Sequence, residues 1–499
     1  MSASTAFWVT YGAAGIAGLI ALLGDMTRNS RPASLLAALL LGSAGAVAGY
    51  AAWSLTLVPV LSAFRAGGVY SAIPSVALLM SAAAVVGSDR LKRPGQAAAL
   101  ISFAATGACL AAVSVDLLTM LIGIEVAAVC AYALVSGAGT RQGGEAALKY
   151  FIQGSVATGL FVLGLAALVG TFAVDATLKA IAAGIGARPE FPLVAVVGTI
   201  ALVSAVAFKT GAAPFHSWAP DAYESAPAPS AAFMAGALKL AMVGVLAAIV
   251  TPLASAGATA KNPYGVLLFD MFAVIGILAA LSIVVGSTVA LTTKSFRRML
   301  GYAGVAQVGY AFIAMGALNP SSALVFTATY AVATTAAFLS AEAFSRIDPT
   351  WDGSIAGLAG MGRRSPVIAS SLTLALLSLA GIPPLLGFWG KLQAFGSAIG
   401  AASGFASRGA STFAVWLGVL AGVGIIGTIV SLAYYGNVVR TLFLNPQITP
   451  SQTTAAEGAA GRAGSAGIAV VTLAFLLVAL GVLPLIIGIS ASVAGFLLQ

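Results

Sequence analysis

Charge is scarce in this sequence, and so are the side chains that build metal and redox centres. Only 7% of its 499 residues are charged, against about 25% in an ordinary globular chain. That deficit excludes a soluble enzyme or a soluble binding module, because too little polar surface exists to face water. One histidine and two cysteines are present. Cys109 and Cys130 sit in apolar segments, without the CxxC spacing or nearby histidine of iron–sulfur, haem c or zinc sites. No glycine-rich turn is followed by Lys-Ser or Lys-Thr, and no nucleophile–base pair stands out. The chain is expected to hold no cofactor and no metal. Its net charge of +9 does not point to nucleic acid either, since the basic residues lie at the ends of apolar runs and read as topology signals.

What the sequence does have is apolar length. Hydrophobic residues make up 60% of it and the mean hydropathy is +1.04. A helix needs roughly 20 residues to cross a bilayer. Runs bounded by charges or Pro/Gly clusters give fourteen such helices, near 6–24, 33–53, 70–88, 96–113, 115–136, 146–171, 191–216, 224–251, 265–292, 297–317, 320–344, 366–400, 411–440 and 467–497. Trp53 to Tyr70 reads as a short loop, and Asn445 to Gly467 as a flexible linker. The N-terminus lacks a basic n-region, so it is expected to be a retained first span. With the N-terminus outside, fifteen basic residues fall in the inner connections and five in the outer ones. That bias favours an even helix count with both termini outside.

The stretch from Ala201 to Ala241 organises the rest. It carries Lys209 in one apolar segment and Lys239 in the next, with His216 and four prolines between them. A charge in hydrocarbon costs roughly 2.5–3.5 kcal/mol on insertion scales, so an intramembrane lysine points first to function. The same pattern returns later, where Pro383 and Pro384 precede Lys391. Proline inside a span breaks the backbone ladder, which is tolerated only where protein or water re-satisfies it. Two broken helices, five positions apart in helix order, predict paired repeats. Five helices is an odd number, so the second copy must be inverted. The expected partition is an N-terminal three-helix segment at 1–95, a first repeat at 96–251, an inverted second repeat at 265–440, and a linker with the last helix at 445–499.

Glu125 lies in the middle of the fifth helix, and Lys209 is its expected partner. Burial disfavours the charged form and an opposite charge favours it, so moving such a pair changes its proton affinity. The competing reading is a static ion pair that locks two helices. Lys239 is too deep to snorkel easily, and Lys391 is the deepest charge of the later repeat. Together with Glu125 the three lysines form a candidate proton relay. His216, at the end of a broken helix, is a possible shuttle, although a lone histidine is more often silent. Asp116, Asp221 and Glu224 read as helix caps, and Arg297 and Arg298 as interface anchors.

These residues stand in motifs that resemble the antiporter-like membrane subunits of the bacterial proton-translocating NADH–quinone oxidoreductase (respiratory complex I), and among them the subunit N family. The matching stretches are LLTMLIGIEVAAVCAYALV, EAALKYFIQGSVATGL, FKTGAAPFHSWAPDAYESAPAPSAAF, RRMLGYAGVAQVGY, LAGIPPLLGFWGKLQAF and SLAYYGNVVRTLF, which span roughly 115–445 in the family's order. The resemblance implies an all-α, fourteen-helix membrane fold with two inverted five-helix repeats. It implies proton translocation coupled to quinone reduction elsewhere in a large complex of the bacterial inner membrane, with both termini periplasmic. Partners would be the other antiporter-like and quinone-site subunits and lipids. Quinone, NADH, FMN and iron–sulfur clusters would reside in those partner subunits.

In the family's pattern the fifth-helix glutamate falls on Glu125, the lysines of the broken helices on Lys209 and Lys391, and the central lysine on Lys239. The PDxYxGAPxP element falls on Pro220 to Pro229. Three departures stand out. Ser225 replaces the usual glycine, and Thr334 and Thr335 replace an asparagine-containing pattern. Gln307 stands where the subunit N family often has histidine, and glutamine there resembles the paralogous subunits and Mrp-type antiporters. Gln307 cannot titrate, so its expected role is to order water in the relay. The alternatives are an Mrp-type cation/proton antiporter subunit, a membrane subunit of a related complex with another electron donor, or a purely scaffolding subunit.

Overall fold

Inside hydrocarbon, backbone polar groups have no water to bond, so a chain this apolar must satisfy them within helices. The computed structural model describes residues 1–54, 58–60, 63–172, 175–187, 192–257, 266–445 and 459–486. It opens with α1 (Ala3–Met26) and α2 (Ser30–Ser54), then a hairpin of β1 (Val58–Val60) and β2 (Phe64–Ala66). Next come α3 (Gly68–Gly87), α4 (Pro94–Val113), α5 (Leu117–Ser136) and α6 (Arg141–Phe172). The short α7 (Leu178–Gly186) leads to α8 (Leu193–Thr210), α9 (Trp218–Ser225) and α10 (Ala228–Phe233). A π-helical turn at Met234–Leu238 joins α10 to α11 (Lys239–Gly257). The later half holds α12 (Val266–Thr292), α13 (Phe296–Gly316), α14 (Pro320–Ile347) and a 3-10 turn at Ala356–Leu358. It continues through α15 (Met361–Arg364), α16 (Pro366–Ala380), α17 (Leu386–Ser407), α18 (Ser411–Phe443) and α19 (Ala459–Ile486).

Among the described residues thirteen helices, α10 and α11 counting as one span, are long and apolar enough to cross a membrane. The remaining one of the expected fourteen is present as α16 and α17, interrupted at Gly381 to Leu385. The expected helix over 191–216 stops earlier, at Thr210, and the one over 224–251 is divided into α10, the π-turn and α11. Trp53 to Tyr70 is not simply a loop. Its strands pair in antiparallel register, Val58 opposite Ala66 and Val60 opposite Phe64. Most of the expected linker (446–458) and the end of the expected last helix (487–497) lie outside the described residues.

Packing follows from small residues. Gly107 on α4 and Gly123 on α5 face each other so closely that a Cβ on Gly107 would come within 2.8 Å of the Gly123 carbonyl oxygen. A Cβ on Gly309 of α13 would lie 2.6 Å from the Ala279 carbonyl oxygen of α12. Such contacts let helix backbones approach where lipid offers no hydrophobic drive. The span of α10 and α11 is enclosed by its neighbours as far as Val250, and α13 and α14 nearly throughout. By contrast, α6 and α18 carry long exposed apolar faces, including Ile152, Val156, Ile426 and Ile429.

The two halves echo each other in local detail. Asp116, just before α5, forms an antiparallel bridge with Thr177, and Ser295, just before α13, forms one with Ser354. Both broken helices end the same way. Gly211 after α8 is left-handed (φ 76°), as is Gly381 after α16 (φ 85°). The Ala212 N–H bonds back to the Ala207 carbonyl, and the Ile382 N–H to the Leu377 carbonyl. This glycine-terminated closure satisfies carbonyls that the helix end would otherwise orphan. Each break also contains a cis prolyl bond, at Ala213–Pro214 and Pro383–Pro384.

Candidate functional site

The breaks release backbone groups inside the protein, and side chains take them up. At the first break the Ala213 N–H donates to Ser282 Oγ at 2.9 Å. The Trp218 indole donates at 3.1 Å to the Phe208 carbonyl, which also accepts the Gly211 N–H. At the second, the Gly387 N–H donates to Ser378 Oγ at 3.0 Å. There the freed carbonyls receive two of the expected site residues. Gln307 Nε2 donates to Leu379 O at 3.2 Å, and Lys391 Nζ donates to Ala380 O at 3.1 Å. Gln307 and Lys391 therefore meet at adjacent carbonyls of one helix end.

Lys209 occupies the last turn of α8, directly before the first break. With the Phe208 carbonyl already held by Trp218, its ammonium group turns to Glu125, 3.1 Å away. This is the expected pairing. The Thr158 hydroxyl of α6 lies 2.7 Å from the same carboxylate oxygen. The pair is asymmetric in exposure: the Lys209 side chain is 7% exposed and that of Glu125 33%. The carboxylate thus looks outward between α5 and α6 while the ammonium looks inward.

Lys239 follows the π-turn, a local insertion that often marks functional sites in helices. It is buried, and its ammonium group donates to the Gly304 carbonyl of α13 at 3.0 Å. The rings of Tyr223 and Tyr330 face it at 5.6 and 5.7 Å. Lys391 stands over the Tyr310 ring at 4.7 Å. Among the described residues, neither Lys239 nor Lys391 forms an ion pair with a carboxylate. An ammonium held by one carbonyl and aromatic faces retains a strong demand for further hydration.

His216 is half-buried in the turn between α8 and α9, its ring 6.3 Å from that of Tyr302. Its Nδ1 is buried without a partner, and no hydrogen bond joins it to the lysines. Asp116 is an N-cap, as expected, accepting from the Thr119 N–H at 2.8 Å. Asp221 and Glu224 are not caps: both lie within α9, whose N-cap is Ser217. Arg298 joins them at 2.9 and 2.8 Å, and Lys149 reaches Asp221 at 3.4 Å. These groups line a polar cleft of about 360 Å³. Arg297 is likewise no simple anchor, since it donates to the Ala226 carbonyl at 2.5 Å.

Sequence reasoning missed Arg346, read only as a topology signal. Its guanidinium is 5% exposed and lies 2.9 Å from both Asp89 and Glu342. It also donates to the Gly87 carbonyl at 2.6 Å and to Ser465 at 3.2 Å, tying α3, α14 and α19 together. Glu342, one turn before it on the same helix, was the available signal. Cys109 and Cys130 are free thiols. Among the described residues no three His, Cys, Asp or Glu side chains converge as a metal site would require.

The family model described as NADH:quinone oxidoreductase/Mrp antiporter, transmembrane, matches residues 114–421. The NADH-quinone oxidoreductase subunit N 1 of Acidiphilium cryptum is 32% identical over 378 residues, covering 75% of this chain and 73% of that relative. A chain of respiratory complex I from Thermus thermophilus, solved with bound aureothin, superposes with a TM-score of 0.74 at 28% identity, covering 95% and 97% of the two chains. A chain of the Mrp complex from Dietzia sp. shares the fold at a TM-score of 0.78 and 17% identity, covering 97% and 95%.

Proposed function

The chain belongs to the NADH:quinone oxidoreductase/Mrp antiporter transmembrane family, in its subunit N branch, and from that premise we propose that it moves protons through Glu125, Lys209, Lys239 and Lys391. The movement is driven by quinone reduction in partner subunits, which carry the NADH, FMN, iron–sulfur and quinone sites. Other antiporter-like and quinone-site subunits of the complex, together with lipids, surround it in the bacterial inner membrane, with both termini on the periplasmic side. The two repeats are assigned to 96–251 and 265–440, supported by the matched breaks after Gly211 and Gly381.

The observation that carries this reading is the poor pairing of two buried ammonium groups. Among the described residues, Lys239 and Lys391 each have a single carbonyl as hydrogen-bond partner. Burying a charge so sparsely costs several kcal/mol, and such sites cluster where protons are handled. A purely structural charge would be paired. Glu125 and Lys209 form a partly buried pair that can open or close, and its carboxylate is the relay's outward-facing end.

The test is Lys239→Ala in the assembled complex, in membranes, with quinone reduction and proton-gradient formation read together. Intact assembly with lowered coupled turnover is expected. An unchanged rate with an unchanged proton yield per electron would leave the lysine a passive element. Gln307 favours one second reading, exchange of protons for sodium as in Mrp-type antiporters. Sodium-dependent transport by the complex would support that reading, and sodium-independent transport would reject it.

A further inference from the structure

Each break is braced by the helix that follows its repeat as assigned above. At the first, Ser282 on α12 takes the Ala213 N–H, while the Trp218 indole turns back to its own side of the break at Phe208. At the second, the indole turns outward instead: Trp389 of α17 donates to the Gly481 carbonyl of α19 at 2.8 Å. We propose that Trp389 and Gly481 are positioning residues for Lys391, seating the second break on α19 so that the ammonium group is held where it can exchange a proton. This rests on the relay reading above and adds to it a helix that lies outside both repeats.

The break, Gly381 to Leu385, touches Lys391 at its beginning and α19 at its end. A Cβ on Gly381 would come within 2.8 Å of Lys391 Cδ, so the lysine stem lies on this glycine while the ammonium group reaches the Ala380 carbonyl at 3.1 Å. A Cβ on Gly481 would overlap the Pro384 carbonyl oxygen, and would lie 2.7 Å from the Leu386 nitrogen and 2.8 Å from the Leu385 carbonyl carbon. All three are backbone atoms, which cannot swing aside as the end of a side chain can. Gly481 is buried, and only the missing Cβ lets α19 come this close.

A helix that simply shielded the break from lipid would need apolar contact and nothing more. Here α19 supplies a backbone-to-backbone seat and accepts a directed hydrogen bond from the helix that carries the lysine. A helical carbonyl has two lone pairs, so Gly481 can take the indole N–H without leaving its own ladder. Trp389 and Lys391 stand two residues apart near the start of α17, so a shift of that start carries both. Misplacing a reacting group by about 1 Å can cost on the order of a hundredfold in rate, and a lysine stem is too flexible to hold its own position.

The experiment uses the whole complex, reconstituted in sealed vesicles, with Trp389→Phe, Gly481→Ala, Gly467→Ala and, as reference, Lys391→Met. Trp389→Phe removes the indole donor and crowds nothing. Gly481→Ala keeps the donor and forces the two backbones apart. Gly467→Ala crowds α19 away from the break, against Ala463 at 2.7 Å and Ile368 at 3.4 Å, and so reports what loosening the helix alone does. Protons delivered per quinone reduced are measured per assembled complex, in H2O and in D2O. The expected result is delivery lowered roughly threefold in Trp389→Phe and roughly tenfold in Gly481→Ala, each with a greater slowing in D2O, and full delivery in Gly467→Ala. If Gly481→Ala does not assemble, Trp389→Phe decides alone. Full delivery with an unchanged isotope effect in Trp389→Phe and Gly481→Ala, while Lys391→Met is defective, overturns the positioning role and leaves the relay standing. An equal loss in Gly467→Ala also overturns it, because α19 would then act through packing alone. Full delivery in Lys391→Met overturns the relay reading itself, and the positioning role with it.

Discussion

The Arg346 guanidinium side chain is well shielded and Lys391 is buried, but their surroundings differ. Arg346 has two carboxylates and a backbone carbonyl within 2.9 Å. Lys391 has one carbonyl and the face of Tyr310. The contrast extends to their neighbourhoods. Around the helix ends Arg298 joins two carboxylates and Arg364 meets Asp348 at 2.7 Å. In the middle of the bundle, among the described residues, Lys239 has the Gly304 carbonyl and two tyrosine faces but no carboxylate. Charges that hold helices together are over-supplied with partners, and charges in the proposed path are under-supplied. A buried charge adds stability only when its partners outweigh the lost hydration, so the number of partners separates the two uses.

The strongest way to break this comparison is Arg346→Ala. It strands Asp89 and Glu342 and unties α19 from α3 and α14. The cost is about 3 kcal/mol, the lower end for removing one member of a buried pair, because both carboxylates keep some water. Reduced yield and a lower melting temperature of the purified complex are expected, with quinone reduction per assembled complex retained. If Arg346→Ala instead assembled fully and lost proton delivery, the division between structural and transport charges would be wrong.

Glu125→Gln comes next. The amide keeps the size of the side chain and can still accept from Thr158, but Lys209 loses its opposite charge. The loss of stability is expected to be about 1–2 kcal/mol, less than for Arg346→Ala since Glu125 is one-third exposed. The loss of coupled turnover is expected to be the larger effect. Comparing melting temperature with proton delivery in the two variants sharpens the contrast directly.

The smallest effect is at Asp348. Burial raises its carboxyl pKa, but Thr350 and Arg364 outweigh that and hold it below the ordinary carboxylate value. The stabilisation is therefore present above the unfolded carboxylate pKa of about 4 and is lost as pH falls through the folded value. It amounts to less than about 1 kcal/mol for a partly exposed pair. Melting temperature should fall slightly more on acidification in the native complex than in Asp348→Asn. Equal pH dependence would show that this pair contributes nothing.

Much of this arrangement was legible in the sequence, for identifiable reasons. Long apolar runs report spans because lipid imposes their length. The Glu125–Lys209 pair could be anticipated because each charge is alone in its segment. The breaks could be anticipated from proline, though their closing residues, Gly211 and Gly381, drew no attention. Other features left no local mark. The π-turn at Met234–Leu238 reads as four ordinary helix formers and one glycine, with no proline to mark it. The binding of Gln307 and Lys391 to adjacent carbonyls depends on how α13, α16 and α17 meet. Arg346 was misread because its second carboxylate, Asp89, is far away in the chain.

The most direct test is Lys391→Met in the whole complex, reconstituted in sealed vesicles, with the protons delivered per quinone reduced measured alongside the melting temperature. Methionine fills the space of the lysine stem and places no charge against the Ala380 carbonyl. The account predicts a melting temperature equal to or above that of the native complex, together with proton delivery lowered by roughly tenfold or more. A complex that melts markedly lower yet delivers its full complement of protons would contradict it.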